Sequence, residues 1–453
     1  MEYSDFLKRK EYTYESTGFD VDISDLNSNL FDFQKQIVQW SLRKGKCALF
    51  LDTGLGKTIC QLEFANQVCK HEHGKALILA PLAVSKQTRQ EGIKFGIDVN
   101  ICRTQADVKD GINITNYEMM SHFNPNEFCC VVLDESSILK SFMGKIKREL
   151  IEVLHDIPYK MACTATPAPN DIMEILNHAE FLNAMKSNEA LAIWFIADQK
   201  QMGNYRLKRH AVKDFYRWVS SWAIGMNKPS DIGFSDDGYI LPPLNEEDVI
   251  CSNQFFGSAD IQKASATNYN KERRRTLMER CKKTAEIVNA SDEQFVVWCD
   301  LNDEAAMLKS IINDCIEVSG SDSIDKKENA AMDFVNGKYK VLISKPLIYG
   351  YGMNFQNCHN VVFCGLSYSY ENYYQAVRRF YRFGQKKEVN VYRIISANEK
   401  NMLNVLNTKA ENKNELSSNM VENMRDYQTA NYHYFKLDLT ERNVVVPDWL
   451  KED

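Results

Sequence analysis

The chain has 453 residues, 44% of them hydrophobic and 26% charged, which is ordinary for a soluble globular protein. This length allows about two to four domains. The formal net charge of −6 excludes a globally basic nucleic-acid-binding protein, so any contact with DNA or RNA must use local basic surfaces. No apolar run approaches the ~20 residues of a membrane-spanning helix. The 13 cysteines include no C-x-x-C pair, and we expect a reducing, cytoplasmic environment.

The first predicted helix follows a lead-in without clear hydrophobic period. Apolar residues at helical spacing run from Leu30 to Trp40. Gln34 lies on this helix, just upstream of the strongest motif in the chain. Its amide can both donate and accept, which matches an adenine edge. A solvated helix residue is an equally good interpretation of Gln34 taken alone.

The segment 48–58 combines an apolar strand, a loop with two glycines and the start of a helix. Backbone N–H groups at a helix N-terminus bind phosphate, and glycine lets the backbone approach it. Lys57 is predicted to reach the β- and γ-phosphates of ATP, and Thr58 to ligate Mg²⁺. Leu51 stands where the usual pattern G-x-x-x-x-G-K-[ST] has its first glycine, so the loop must turn on its two later glycines. The predicted phosphate-binding residues are Thr53, Gly54, Gly56, Lys57 and Thr58.

A later apolar strand, Phe128 to Leu133, ends abruptly in Asp134 and Glu135. In a parallel sheet the carboxyl end of a strand faces the ligand crevice. Asp134 is therefore predicted to hold Mg²⁺, directly or through water, and Glu135 to act as the general base. A simple strand-end cap is the alternative for these carboxylates alone, but the phosphate loop upstream favours catalysis.

Strands alternate with helices in both halves of the chain, which predicts a doubly wound parallel α/β fold. An aromatic-rich stretch interrupts this rhythm and is interpreted as a helical insertion with a connector. The second half carries no phosphate loop of its own. Its basic stretch from Lys271 to Lys283 could track a phosphate backbone or form a solvated helix face. The predicted divisions are a lead-in (1–29), lobe 1 (30–182), the insertion and connector (183–245), lobe 2 (246–430, with a basic helical segment near 256–290) and a tail (431–453).

Three residues of the second half, Gln375, Arg379 and Arg382, stand at i, i+4 and i+7 of a helix predicted from Tyr373 to Phe383. They would share one helix face. Arginine keeps its charge and matches phosphate oxygens with a planar fork. Arg379 and Arg382 are therefore predicted to be arginine fingers for the nucleotide held by the first half. A solvent-exposed basic stripe is the alternative.

Seven stretches between residues 30 and 400 resemble, in order, the motifs of superfamily 2 helicases, and within them the Snf-type remodelling and translocating ATPases. The stretches are similar to motif I (52–58), Ia (80–82), Ib (114–118), the DExx box (134–137), III (164–167 and 170), V (344 and 350–354) and VI (375–385). Two positions depart from the family pattern. Ser136-Ser137 replaces the commoner Ala-His, and Arg378 stands where many Snf-type members have Asp.

The resemblance implies two RecA-like lobes with ATP and Mg²⁺ in the cleft and nucleic acid across both lobes. It implies an ATP-dependent DNA helicase or translocase, and it adds Gly352 and Gln385 to the cofactor-binding residues. The nucleic-acid-binding residues that it implies are Pro81, Thr115, Tyr117, Thr164, Thr166, Ser344 and Asn354. The compact size is similar to that of bacteriophage-encoded members, which act in DNA replication or recombination in the host cytoplasm. An RNA-directed helicase and a nucleotide-binding module without motor activity are the alternatives.

Overall fold

The computed structural model describes residues 12–81, 84–140, 145–197, 205–252, 273–349, 354–367, 369–396, 399–428 and 434–437. The strands are β1 (Tyr12–Glu15), β2 (Lys46–Leu51), β3 (Lys75–Ala80), β4 (Val99–Ile101), β5 (Gly111–Asn116), β6 (Cys130–Asp134), β7 (Tyr159–Cys163), β8 (Phe195–Ala197), β9 (Tyr205–Leu207), β10 (Ala223–Met226), β11 (Leu244–Ser252), β12 (Phe295–Trp298), β13 (Cys315–Glu317), β14 (Val341–Ser344), β15 (Asn360–Cys364), β16 (Val389–Ser396) and β17 (Tyr434–Leu437).

The α-helices follow the strands in the alternation that the sequence predicts. They are α1 (Asp32–Lys44), α2 (Lys57–Glu72), α3 (Ser85–Lys94), α4 (Lys145–Val153), α5 (Glu174–Phe181), α6 (Ser187–Trp194), α7 (Val212–Trp222), α8 (Leu277–Asn289), α9 (Asn302–Ile311), α10 (Ile324–Val335), α11 (Pro346–Tyr349), α12 (Tyr370–Val377) and α13 (Lys400–Gln428).

Two parallel sheets form the two lobes. The lobe 1 sheet has the order β10-β2-β7-β6-β3-β5-β4, and the lobe 2 sheet has the order β11-β16-β15-β12-β14-β13. Neighbouring strands run parallel throughout both sheets. The prediction of two RecA-like, doubly wound α/β lobes is confirmed.

The central strands of each sheet, such as β2, β6, β12 and β14, are buried on both faces because they are almost wholly apolar. In β2, Phe50 faces a core cluster that includes α5, α6 and α7, whereas Leu49 and Leu51 face a second cluster that includes α1 and α2. Successive side chains of a strand point to opposite faces, so one apolar run supplies both clusters. In β12, Trp298 and Val297 divide between the two clusters of lobe 2 in the same way.

Lobe 1 extends beyond the boundary predicted at residue 182. Strand β10 pairs with β2 at the edge of the lobe 1 sheet. Trp194, Trp218 and Trp222, which lie in the stretch interpreted as a separate insertion, are fully buried in the lobe 1 core. These large apolar side chains cover one face of the sheet, so most of the insertion is a layer of lobe 1.

Helix α13 belongs to both lobes. Met402 and Leu406, near its start, lie in a core cluster of lobe 2, whereas Leu416 and Met420 lie in a core cluster of lobe 1. In addition, strand β17 pairs antiparallel with β1. The segments before and after the two lobes therefore meet.

Candidate functional site

The phosphate loop spans the five residues between the end of β2 and the start of α2. Gly54 has φ +90° and Gly56 has φ +81°, a left-handed region that L side chains rarely adopt. The loop thus turns on the two glycines that the sequence offers in place of Leu51. A Cβ atom at Gly54 would lie 2.9 Å from the backbone nitrogen of Phe383 in lobe 2. Lobe 2 therefore touches this loop directly.

The loop has the features needed to hold a phosphate group. No side chain caps the N-terminus of α2, and Thr53 Oγ1 is buried without a hydrogen-bond partner among the described residues. Lys57 Nζ donates to the carbonyl oxygens of Leu51 at 2.8 Å and Asp52 at 3.3 Å. Burial lowers the pKa of Lys57, while nearby carboxylates raise it. Thr58, the predicted Mg²⁺ ligand, is half-buried in the first turn of the helix.

The predicted metal ligand and general base follow β6, at the carboxyl edge of the sheet beside the loop. Asp134 is buried, and its Oδ1 accepts from Gln61 Nε2 of α2 at 2.7 Å. Glu135 has φ +52°, which is uncommon for a residue other than glycine. Burial raises the pKa of Glu135 to about 7, against the opposing effect of Lys57 and Arg379. A carboxylate with a pKa near neutrality is well matched to general-base catalysis.

Arg379 and Arg382 do not lie on one helix with Gln375, because α12 ends at Val377. The predicted helix to Phe383 is wrong for a tertiary reason. The Arg379 carbonyl accepts from the N–H of Phe355 at 3.1 Å, and Phe380 is fully buried in the lobe 2 core. This hydrogen bond and the burial of Phe380 end the helix early, so both arginines lie in a turn.

This turn places the two arginines differently. Arg379 is buried. Burial raises the pKa of both Asp134 and Glu135, and the charge of Arg379 opposes this rise, which places Arg379 near the carboxylates of lobe 1. Gln375 links Arg379 to Glu135, since its Oε1 lies 3.4 Å from Arg379 Nη2 and its Nε2 lies 3.5 Å from Glu135 Oε2. Arg382 has a buried Nε without a hydrogen-bond partner among the described residues. Burial lowers the pKa of Arg382, and Glu91 of α3 opposes this effect.

Sequence reasoning missed Glu371, which connects the carboxylate strand to lobe 2. Ser137 Oγ donates to Glu371 Oε1 at 2.5 Å, and Lys140 Nζ lies 2.5 Å from Glu371 Oε2. Ser136 instead contacts His178 of α5, with 3.1 Å between Oγ and Nε2. Ser136 and Ser137, which replace the commoner Ala-His of the family motif, therefore make one contact within lobe 1 and one contact with lobe 2. The sequence around Glu371 does not indicate this contact, because an acidic residue in the first turn of a helix is common.

Gln34 and Gln385 make contacts within the protein. Gln34 Nε2 donates to the Leu55 carbonyl at 3.1 Å, and its Oε1 accepts from the Phe31 N–H at 3.0 Å. Gln34 thus braces the phosphate loop, and its adenine contact stays a prediction. Gln385 Nε2 donates to three carbonyl oxygens of lobe 2, at 3.2 to 3.3 Å. Its role as a nucleotide contact also stays a prediction, and Gly352 lies outside the described residues.

Most residues predicted to contact nucleic acid are covered by protein. Four side chains are at most 3% exposed, which leaves them no surface for a nucleic acid in this structure: Thr115, Thr164, Thr166 and Ser344. Ser344 Oγ donates to the Val318 carbonyl at 2.9 Å, and the Tyr117 hydroxyl donates to the Asp134 carbonyl at 2.7 Å. The Ser344 and Tyr117 hydroxyls are therefore engaged inside the lobes. Asn354 is exposed and Pro81 half-buried, so their contacts stay predictions.

The basic stretch of lobe 2 is partly internal. Arg280 is fully buried and contacts Glu304, and Arg273 Nη1 lies 2.8 Å from Asp300 Oδ2. These two arginines stabilise the lobe and are not available to a phosphate backbone. Arg274 is exposed and remains available.

Two kinds of feature are absent from the part of the chain that the structure describes. No helix there is long and apolar enough to cross a membrane. No three His, Cys, Asp or Glu residues there come together as a protein-only metal site. The predicted Mg²⁺ ligands, Thr58 and Asp134, would need phosphate oxygens to complete a site.

Comparisons with known proteins point to helicases. Residues 276–384 match the model of the helicase conserved C-terminal domain. Chromodomain-helicase-DNA-binding protein 8 of Homo sapiens is 26% identical over 212 residues, 39% of this chain and 8% of that protein. The chromodomain-helicase-DNA-binding protein 3 homolog of Caenorhabditis elegans is 23% identical over 210 residues, 37% of this chain and 12% of that protein.

Two further matches cover different shares of the chain. The bifunctional helicase and thymine dioxygenase JBP2 of Leishmania major is 37% identical over 83 residues, 18% of this chain and 8% of that protein. The solved SWI2/SNF2 ATPase core of Sulfolobus solfataricus in complex with dsDNA aligns over 89% of this chain and 98% of that one, with 19% identity and a TM-score of 0.43. The chain thus covers about a tenth of the length of its curated relatives or less. The chain is thus similar to helicases, both in its matched C-terminal domain and in the relatives that it resembles.

Proposed function

We propose that this chain is an ATPase that couples hydrolysis to movement on DNA, as a translocase or helicase. The observation that carries the proposal is the meeting of groups from both lobes at one place. Lys57, Asp134 and Glu135 come from lobe 1. From lobe 2, Gln375 lies between Glu135, 3.5 Å from Nε2 to Oε2, and Arg379, 3.4 Å from Oε1 to Nη2. A site divided between two lobes makes hydrolysis depend on how the lobes are arranged.

The residues divide the work of phosphoryl transfer. The loop N–H groups and Lys57 bind the phosphates, and Glu135 accepts the proton of the attacking water. Thr58 and Asp134 would hold Mg²⁺, which would supply neutralisation of the phosphate charge. Arg379 and Arg382 stabilise the charge that develops during transfer. Because this charge is largest in the transition state, the arginines act on turnover more than on ATP affinity.

DNA is proposed as the partner because the relatives of this chain include proteins named chromodomain-helicase-DNA-binding proteins. The cytoplasmic location rests on the cysteine usage and the sequence resemblance, and the bacteriophage role in replication or recombination rests on the resemblance alone. Both stay predictions. An RNA-directed helicase would share the same hydrolysis site, so the polymer must be identified by experiment.

The test compares ATP hydrolysis without nucleic acid and with single-stranded DNA, duplex DNA, branched DNA and RNA. We expect low basal hydrolysis and strong stimulation by one form of DNA, because a bound polymer favours the hydrolysis-competent lobe arrangement. A rate that no polymer changes would contradict the motor function, and stimulation by RNA alone would contradict the DNA assignment.

The arginine assignment needs a separate comparison at saturating DNA. Arg379→Ala and Arg382→Ala are each expected to lower turnover by about 10³–10⁵-fold, as loss of an arginine finger does. Replacement by Lys rescues incompletely, because an ammonium group lacks the planar fork. The basic-stripe alternative instead leaves turnover at saturating DNA unchanged and weakens only DNA affinity. Normal turnover in both Ala variants would refute the finger assignment.

A further inference from the structure

A buried charge cluster ties the phosphate loop to lobe 2. Its centre is Asp52, the first residue after β2, which is 7% exposed. Asp52 Oδ1 accepts from the hydroxyl of Tyr374 on α12, and Oδ2 lies 2.7 Å from Arg378 Nη2. Lys413 Nζ of α13 lies 3.8 Å from the same Oδ2. We call Asp52, Tyr374, Arg378 and Lys413 the interlobe cluster.

The members of the interlobe cluster support one another beyond their contacts with Asp52. Lys413 Nζ lies 3.1 Å from the Tyr374 hydroxyl and 4.6 Å from the centre of its ring. The guanidinium carbon of Arg378 lies 5.1 Å from the centre of the same ring. Cations over an aromatic face are attracted to it, most strongly where water is excluded.

Asp52 stays ionised in this environment. Burial alone would raise its pKa, but Arg378, Lys413, Tyr374 and the Thr53 N–H outweigh burial and lower the pKa to about 2. A buried ion pair is costly to break by removing one partner, because the other charge is left uncompensated. The cluster therefore favours one arrangement of the phosphate loop against lobe 2.

Two features connect this arrangement to the hydrolysis site. Arg378 directly precedes Arg379 in the turn that α12 leads into, so anchoring Arg378 restricts the backbone from which Arg379 projects. Farther along the turn, the backbone of Phe383 is packed against Gly54 of the phosphate loop. Lys413 adds a third element, since it lies where α13 passes from the lobe 2 core to the lobe 1 core.

We propose that Asp52 and Arg378 are positioning residues, which with Tyr374 and Lys413 hold the arginine-bearing turn of lobe 2 in register with the phosphate loop. The inference rests on the proposed ATPase function. Neither residue needs to touch ATP, because the pair acts through the placement of Arg379 and of the loop. Misplacement of catalytic groups by about 1 Å can cost about 10²-fold in rate. The pair is thus expected to act on kcat.

The test is a double-mutant cycle of Asp52→Asn, Arg378→Met and the double variant, with kcat and KM for ATP measured at saturating DNA. Each single change is expected to lower kcat by about 10-fold or more, with KM changed by less than about 3-fold. The double variant is expected to be no slower than the worse single variant, because both changes remove the same interaction. Arg378→Lys, which keeps the charge with a different reach, is expected to retain an intermediate kcat and serves if Arg378→Met does not fold.

Arg393→Met is the matched control. Arg393 is a buried arginine with two acidic partners, Asp248 at 2.6 Å and Glu246 at 3.5 Å, and all three belong to lobe 2. Its loss is expected to lower stability while leaving kcat within about 2-fold, because it changes no interlobe contact.

Hydrogen exchange without nucleotide separates the inference from the proposed function. Peptides spanning 52–64 and 370–385 are expected to exchange faster in Arg378→Met than in the wild-type chain. In Arg393→Met, the lobe 1 peptide 52–64 is expected to stay unchanged. Unchanged exchange at both peptides, or independent effects on kcat that multiply in the double variant, would overturn the positioning role. A wild-type chain that hydrolyses no ATP would refute the proposed function, while the exchange result would still decide whether the cluster joins the lobes.

Discussion

Replacing Gly54 by alanine tests whether contact with lobe 2 sets the geometry of the phosphate loop. Gly54 has φ +90°, and an added Cβ atom would lie 2.9 Å from the Phe383 nitrogen and 3.0 Å from the Phe383 Cβ. The conformational strain costs about 1–2 kcal/mol. The contact below 3.0 Å is with backbone, so Phe383 and the turn bearing Arg382 must shift. We expect Gly54→Ala to lower kcat by about 10-fold or more.

Gly233 provides the matched control for this prediction. It also has φ +90°, but an added Cβ atom there meets nothing within 4 Å among the described residues. Gly233→Ala is thus expected to lose about the same 1–2 kcal/mol of stability without loss of kcat. Stability is measured by denaturant unfolding and kcat by ATP hydrolysis at saturating DNA. Equal kcat in both variants would refute the idea that the loop and the lobe 2 turn are sterically coupled.

Three further predictions concern titration and interlobe contact. Burial raises the pKa of Glu135 to about 7, so kcat/KM is expected to rise with pH through about 7, and a flat profile would contradict the general-base role. Burial lowers the pKa of His178 to about 4 from its usual value of about 6.5, so between these two pH values the folded state binds fewer protons than the unfolded chain. Unfolding free energy should thus fall by about 2 kcal/mol from about pH 7 to about pH 5, a loss that His178→Gln lacks in denaturant titrations. Glu371→Gln weakens the contacts with Ser137 and Lys140 and is expected to reduce DNA-stimulated more than basal ATP hydrolysis. Equal reduction of both rates would argue against a coupling role.

The local parts of the site were predictable because their signals lie within short stretches. The strand, the two glycines and the helix start of the phosphate loop are adjacent in sequence, and β6 is apolar up to Asp134. The helical spacing of apolar residues and the continuous apolar runs also predict the parallel α/β lobes. Strands buried on both faces are apolar along their whole length, so they are recognisable in the sequence. These features need no knowledge of distant partners.

The parts that were missed depend on distant partners. The helix after Tyr373 stops early because Arg379 bonds to Phe355 and Phe380 enters the core. Helical spacing carries no trace of these contacts, since propensity yields to tertiary packing. The strand-end hydroxyls of Thr164 and Ser344 fitted a nucleic-acid surface by motif, yet they are buried inside the lobes. A motif assigns a residue to a position, but the packing around that position decides what the side chain can touch.

Arg378, which stands where many Snf-type proteins have Asp, is explained by a contact with a residue far away in the sequence. Its side chain meets Asp52, which is 326 residues earlier in the chain. In this arrangement Arg378→Asp would bring two carboxylates together in a buried setting, with Lys413 as the nearby cation. Like charges at such a site repel, and one carboxylate would have to take up a proton or move away. The identity of residue 378 and the acidic start of the phosphate loop are therefore coupled in this chain. Arg379 is the next residue in the chain and lies near the carboxylates of the proposed hydrolysis site. The contact between Asp52 and Arg378 therefore acts on that site through the placement of Arg379.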